Sequence, residues 1–363
     1  VEVVGEMVIE IHPLVLNILI NFGIGLIITV SLNLEVGIAG ISQFGRVLAV
    51  LVGALVAAAI SGRLLAAIMG LPSGLEYADH MINFKIVDQI NRTLATNVTL
   101  SIGILFLTLI IAALLGALIG YLCSYPALRL KEAYLGITLL AFGDALNTIA
   151  WNVEGLAGGT QGVNVPDVFR WIGVGPERYL GLVLIIIGFA MIVFLFAESL
   201  IRSPFGRALK AMRDSEVAAA IYGKDIVKLR AQALMIGGAL AAIGGALWAF
   251  YTGSFKAVTY TRLTWTFWPW AYMMLGGVGN NLGMLVGVFV FSVIRTLIYA
   301  YKTELTTFIP INPAWFEYIL VGLAIIILVL FRPQGLLPEK PALTLPKSKI
   351  EEIKQKVKTE KAG

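Results

Sequence analysis

Ionic groups are scarce in this sequence. Of its 363 residues only 13% are charged, while 58% are hydrophobic. An ordinary soluble domain carries about 25% charged residues and about 45–50% apolar ones. A chain of this length cannot keep a soluble surface wet with so few charges, and its mean hydropathy of +0.88 agrees. Lipid as the solvent removes the conflict, because acyl chains accept apolar side chains on the outside of a bundle as well as within it. Cysteine occurs once, as Cys123 in an apolar run, which excludes an internal disulfide and reads as packing. The two histidines, His12 and His80, are too few and too far apart for a metal site. No GxxxxGK(S/T) phosphate loop, paired catalytic carboxylates or His/Cys cluster occurs, so the chain has no nucleotide or catalytic site of its own.

What is present is a series of apolar runs. A spanning helix needs about 20 mostly apolar residues, and such runs lie at 14–32, 47–69, 98–122, 134–151, 179–200, 231–252, 267–279, 281–300 and 318–332. The seventh and ninth are short enough to be tilted, broken or re-entrant. The stretch from Asn33 to Gly45 is apolar and glycine-punctuated, a piece that dips into the membrane without crossing. The expected fold is therefore an all-α polytopic transmembrane bundle of about nine spans, with broken or re-entrant glycine-rich segments. Glu2, Glu6 and Glu10 precede the first run, unlike the positive start of a secretory signal, so that run reads as a retained span.

The net charge of +5 does not form a nucleic-acid face, because the cations fall in two clusters. One is the loop 201–230; the other is the charged tail 340–363, which reads as a solvated end. The excess of Lys and Arg assigns both to the cytoplasm, together with the short turns near Arg46 and Arg129. Nine crossings then place the start of the chain outside, with the mixed-charge loops 70–97 and 152–178.

Within 201–230, Pro204 and Gly206 end a span and a helical pattern follows over 207–222. Leu209, Met212, Val217, Ala220 and Ile221 form an imperfect apolar stripe, and Gly223 stops it. An amphipathic helix tethered between two spans either lies at the headgroup boundary or docks a soluble partner. The passage RSPFGRALKAMRDSEVAAAIYG resembles the cytoplasmic coupling loop of branched-chain amino acid (Liv-type) ABC transporter permeases. Its Glu216, Ala218, Ala219 and Gly223 follow the Glu-Ala-Ala…Gly signature, with Val217 inserted. SLNLEVGIAGISQFG, LRLKEAYLGITLLAFGDALN, LGGVGNNLGMLVG and LFRPQGLL are similar to further segments of that family, in its order. The long 152–178 loop and the RPQGLL ending are similar to its M-type subunit.

The resemblance implies a permease domain over 1–339. Its ATPase-facing loop would use Arg207, Lys210, Arg213, Asp214, Glu216, Ala218, Ala219, Gly223 and Lys224. It also implies a second, H-type permease, two cytoplasmic ATPases that hold ATP-Mg, and an extracytoplasmic substrate-binding protein. This chain itself would bind no cofactor and no metal and would not be an enzyme. The cargo implied is branched-chain amino acids; urea, short amides or other small polar solutes are carried by similar permeases. A self-sufficient secondary transporter or channel leaves the 207–222 helix unexplained, and a receptor or scaffold is disfavoured by the lack of a sizeable soluble domain.

Gly37, Gly40 and Gly45 recur in spacing much like Gly276, Gly279 and Gly283, each set before an apolar run, with Gly277 a further glycine of the second segment. That suggests a faint internal repeat or close helix packing. Glu35 and Asp144 stand in apolar surroundings, where an ionised carboxylate at the membrane centre costs at least about 2.5–3.5 kcal/mol. With Asn33, Gln43 and Asn147 as polar neighbours, they are the expected pathway residues, Glu35 lying nearer a span end. The aromatics Trp265, Phe267, Trp268, Trp270 and Tyr272 read as an interfacial anchor.

Overall fold

Apolar runs with helical composition become helices, and the computed structural model describes them over residues 13–130, 132–301 and 313–339. The acidic start, Lys131 and the tail 340–363 lie outside the described residues. Helix α1 (Pro13–Asn33) widens into a π-turn over Leu34–Ile38. A continuous rod follows, made of α2 (Arg46–Leu55), a π-turn over Val56–Ser61, and α3 (Gly62–Ile68). Next come α4 (Leu75–Ala78), α5 (His80–Thr96), α6 (Val98–Arg129), α7 (Glu132–Asn152) and α8 (Glu154–Ala157). The second part holds α9 (Pro176–Arg202), α10 (Pro204–Asp214), α11 (Glu216–Ile221) and α12 (Ile226–Thr252). It ends with α13 (Trp268–Gly276), α14 (Asn281–Ala300) and α15 (Pro313–Phe331).

Among the described residues, seven helices are long and apolar enough to cross a membrane. The expected seventh span is the broken one. Its helical part is a π-turn over Leu263–Phe267 running into the nine residues of α13. Pro269 cannot donate to the carbonyl four residues back, and the turn ahead of it is wide. Helix α15 has 19 residues. Backbone bonds from Leu336 to Leu275 (2.8 Å) and from Leu337 to Gly276 (3.0 Å) tie its following segment to the end of α13.

One end, the basic pole, carries α10 and α11. At the far pole, α5 packs beneath a two-stranded ladder of β1 (Val163–Asn164) and β2 (Ser254–Phe255), in which Val163 pairs with Phe255 and Asn164 with Ser254. The expected loops 70–97 and 152–178 thus fold together. The buried Asn83 side chain donates to the Tyr77 carbonyl (3.0 Å) and accepts from the Asn164 amide (2.7 Å). The Asp167 amide donates to the Asn91 side chain (2.8 Å), and the Asp167 carboxylate pairs with Arg178 at 2.7 Å.

Helices α1, α2 and α12 are central and bury most of their length, whereas α6, α9 and α15 turn Leu114, Ile192 and Leu330 outward at 65%, 63% and 70% exposure. An apolar outer wall of this extent is a lipid-facing surface. The central contacts are made by backbone against backbone. A methyl on Gly53 would strike the Ala242 carbonyl, one on Gly245 the Val50 carbonyl, and ones on Gly116 and Gly120 the carbonyls of Gly238 and Leu234. Helix α12 is therefore sandwiched between α2 and α6 at a distance that only glycine allows.

Overpacking of this kind costs about 1–3 kcal/mol, so Gly53→Ala should lower the thermal unfolding midpoint of the detergent-purified protein by several degrees. Gly188→Ala, where the added methyl meets nothing within 4 Å, should leave it unchanged. Equal behaviour of the two variants would refute the close-packing account.

Candidate functional site

The segment between α9 and α12 is built by three caps. Ser203 accepts from the Gly206 amide (3.4 Å) and starts α10, with Pro204 at its first position. Ser215, in extended backbone, ends α10 and accepts from the Ala218 amide (3.3 Å) to start α11. Asp225 accepts from the Lys228 amide (3.0 Å) and starts α12. The single helix expected over 207–222 is thus two, because Ser215 offers its hydroxyl to a new helix start instead of continuing the old one. Gly223, at φ +74°, terminates α11 as expected.

The break splits the apolar stripe. Leu209 and Met212 are buried against the bundle, while Val217, Ile221 and Tyr222 on and after α11 are 72%, 78% and 84% exposed. Ala219 is buried and Ala218 and Lys224 are exposed. Glu216 pairs with Arg230, whose guanidinium also donates to the Ala127 carbonyl (2.8 Å), so α11 is tied to the starts and ends of α12 and α6. Arg207 is exposed and donates to the Arg202 carbonyl (3.2 Å).

Arg213 connects this segment to the interior. It donates to the Gly37 carbonyl (2.6 Å), pairs with Glu339 (2.7 Å) and lies beside Asp214 (3.1 Å). Lys210 reaches the other oxygen of Glu339 at 2.6 Å. Burial opposes the charge on Glu339, but hydrogen bonds and attraction from Lys210 and Arg213 prevail and hold its carboxyl below the ordinary range. Arg213 is likewise desolvated, yet Glu339 and then Asp214 raise it above its usual value.

The two glycine-rich segments meet at this point. Gly37, at the π-turn, lies so close to Gly279 that an added methyl would stand 2.7 Å from the Gly279 amide. Gly40, Gly277 and Gly279 take positive φ of +71°, +115° and +85°. Gly276 and Gly283 abut each other's carbonyls where α13 crosses α14, and Gly45 abuts that of Leu139. Asn33 joins the halves, accepting from the Gly279 amide (2.9 Å) and donating to Asn281 (3.0 Å), which in turn donates to Glu198 (3.1 Å).

Glu35 is 1% exposed and pairs with the equally buried Arg46, which also donates to the Gly237 carbonyl at 3.0 Å. Glu35 lies near the end of the first span, as expected, and Arg46 opens the second; what is corrected is the expected low cost, because both charges are enclosed by the bundle and answer each other there. Gln43 accepts from the Gly45 amide (2.8 Å), and its carbonyl accepts from Trp270 (2.9 Å), whose ring stacks on Phe44 at 4.6 Å. Trp265, Trp268 and Tyr272 are buried too. The aromatic run therefore fills the bundle and does not anchor it at an interface, because the broken helix that carries it runs through the interior.

Asp144 and Asn147 form a separate cluster. Asp144 pairs with Arg262 at 2.6 Å, and Asn147 donates to the carbonyls of Ala257 (3.0 Å) and Tyr260 (2.7 Å). Arg46, Glu198, Arg262 and Glu339 were missed as site residues: Arg262 and Glu339 meet their ion-pair partners, and Glu198 meets Asn281, across long sequence separations, while Arg46 meets Glu35 across the turn between the first two spans. Only the isolation of Arg46 and Glu339 beside apolar or proline-rich stretches marked them.

Residues 14–330 match the family described as branched-chain amino acid transport system / permease component. The chain is 39% identical over 350 residues to the probable branched-chain amino acid transport permease protein LivM of Methanocaldococcus jannaschii, covering 94% of this chain and 99% of that protein. It is 26% identical over 259 residues to the high-affinity branched-chain amino acid transport system permease protein LivM of Escherichia coli, covering 65% of this chain and 58% of that protein. It is also 27% identical over 197 residues to the autoinducer 2 import system permease protein LsrC of Klebsiella pneumoniae, covering 53% of this chain and 50% of that one. No solved structure matches the chain.

Two outcomes follow from this geometry. Removing one partner of a buried ion pair costs about 3–5 kcal/mol, so Arg46→Ala should sharply reduce the yield of folded protein in size-exclusion profiles. Arg46→Met combined with Glu35→Gln should recover part of it; no recovery would show that the two charges are not coupled. For Glu339, the folded value lies below the unfolded one of about 4.3. Its contribution is therefore present above that value and lost as pH falls through the lower, folded one. A spin-label distance between positions 207 and 336 should hold steady from neutral pH downward and lengthen only below the ordinary carboxylate range. Lengthening near neutral pH would contradict the clamp.

Proposed function

This chain belongs to the branched-chain amino acid transport permease family, and on that premise we propose that it is the membrane-spanning subunit of an ATP-driven ABC importer for branched-chain amino acids. It works beside a second, H-type permease, two cytoplasmic ATPases carrying ATP-Mg, and an extracytoplasmic substrate-binding protein. The basic pole faces the cytoplasm and the far pole, with its α5 and β1–β2 cover, faces the binding protein. A multi-pass position in the cell membrane follows from the outer wall of apolar side chains.

The observation that carries this reading is α11. Val217, Ile221 and Tyr222 are apolar, exposed and adjacent, on a short helix with charged neighbours at Glu216 and Lys224. Such a patch on a solvated pole fits an ATPase groove. Force applied there has a path inward. Helix α10 is rigid and amphipathic, and its Arg213 holds the Gly37 carbonyl in the π-turn of the first span. Through Glu339 it also holds the segment bonded to Leu275 and Gly276. These are the two places where helices α1 and α13 end in glycine-rich backbone, which yields more readily than a helix. ATP-driven closure of the ATPases would shift α10, move both breaks together and open the pathway alternately to each side.

A second reading, import of another small polar solute, draws on the similarity to the autoinducer 2 import permease. A solute panel offered to the reconstituted complex separates the two.

Val217→Asp and Ile221→Asp should cut co-purification with the ATPases and amino acid uptake at least about tenfold, as expected for removing apolar anchors worth about 2 kcal/mol. Membrane insertion should be unaffected. Full uptake by both variants would sink the docking role.

A further inference from the structure

One ion pair at membrane depth stays half open to its surroundings. The Asp144 and Arg262 side chains are 43% and 51% exposed, while the Glu35–Arg46 pair, between the end of the first span and the start of the second, is closed off at 1% on each side. Asp144 is the thirteenth of the 21 residues of α7, about 18 Å from its start and about 12 Å from its end at 1.5 Å per residue. Ionised groups at that depth are disfavoured against lipid and belong on a water-filled cavity or a protein contact. On the same face of α7, Ala141, Ala145 and Thr148 are exposed as well. Small side chains thus stand next to the carboxylate along this face, while Ile137, Phe142 and Ile149, exposed at 67%, 42% and 50%, border it.

Arg262 is held in place rather than merely near. Asn147, one turn along α7 from Asp144, fixes the Ala257 and Tyr260 carbonyls. Thr261 then caps the next run, its hydroxyl accepting from the Thr264 amide (3.2 Å) and its carbonyl from the Trp265 amide (3.1 Å). Arg262 therefore stands at the first turn of the helical stretch 263–276, where the helix dipole adds to its positive charge. The result is a cation and an anion, side by side and half-exposed, presented from two different elements.

Resting on the importer reading above, we infer that Asp144 and Arg262 form a recognition point for a zwitterionic amino acid on the translocation pathway. Arg262 and the start of 263–276 take the α-carboxylate, and Asp144 takes the α-ammonium. The aliphatic side chain lies along Ala141 and Ala145. Charge balance favours this occupant over a neutral or singly charged solute. Without substrate the pair neutralises itself. A zwitterion replaces that one contact by two of the same kind and leaves no charge unpaired, whereas an anion or a cation alone would strand one member.

The test uses the complete reconstituted complex, with Ala145→Cys introduced alongside Cys123→Ser. A membrane-impermeant maleimide should label position 145, and millimolar leucine should slow the labelling, while leucinamide and isovalerate, each lacking one of the two charges, should not. Asp144→Asn and Arg262→Gln should each lower leucine uptake at least about tenfold, the loss expected for one charge-assisted contact. The exchange Asp144→Arg with Arg262→Asp, which keeps a pair but reverses it against the helix dipole, should not restore uptake. Absence of labelling, labelling indifferent to leucine, or full uptake by the exchanged pair each overturns the inference. Leucine uptake by the unmodified complex separates the premises: if it is absent the importer reading falls, and if it is present only this inference is at stake.

Discussion

Wherever this chain leaves helical geometry between its poles, some group must satisfy the backbone it frees, because lipid and apolar neighbours offer no hydrogen bonds. The breaks are met one by one. Arg213 takes the Gly37 carbonyl, Asn33 the Gly279 amide, Trp270 the Gln43 carbonyl, and Thr266 the Val47 amide at 3.1 Å. Asn147 takes two carbonyls of the connection that leads into the broken helix. The polar side chains of this apolar protein are thus spent largely on backbone. Their positions in turn dictate which helices lie next to each other.

The same constraint explains why the basic pole is continuous with the interior. The carbonyl freed at Gly37 faces outward to α10, and the cation that satisfies it belongs to the segment read here as the ATPase contact. Glu339 joins that cation to Lys210 and to the far end of the chain's described part. A helix without a break at 34–38 would offer no carbonyl to grip. The irregularity of the first span and its attachment to α10 are one feature.

Glycine supplies the second condition. At the crossings of α12 with α2 and α6, and of α13 with α14, backbones touch directly. Close approach strengthens dispersion contacts where no hydrophobic effect drives helices together in lipid. It also brings the Gly237 carbonyl within reach of Arg46, so that the enclosed Glu35–Arg46 pair is accepted by the same close packing.

The all-α, many-span architecture was legible in the sequence, because lack of charge and the length of apolar runs depend on composition alone. Helix ends marked by proline and glycine were legible from local preference, as at Pro204 and Gly223, whereas the break at Ser215 was not. The partners of Glu35, Asp144 and Arg213 were not. Arg46, Arg262 and Glu339 carry no local pattern that announces a contact, and the broken helix 263–276 turned an expected interfacial aromatic run into core. Local preferences depend on neighbours a few residues away, and these the sequence determines. Which buried charges meet, and which polar group faces an opening, depends on where whole helices come to rest, and only the tertiary structure decided that.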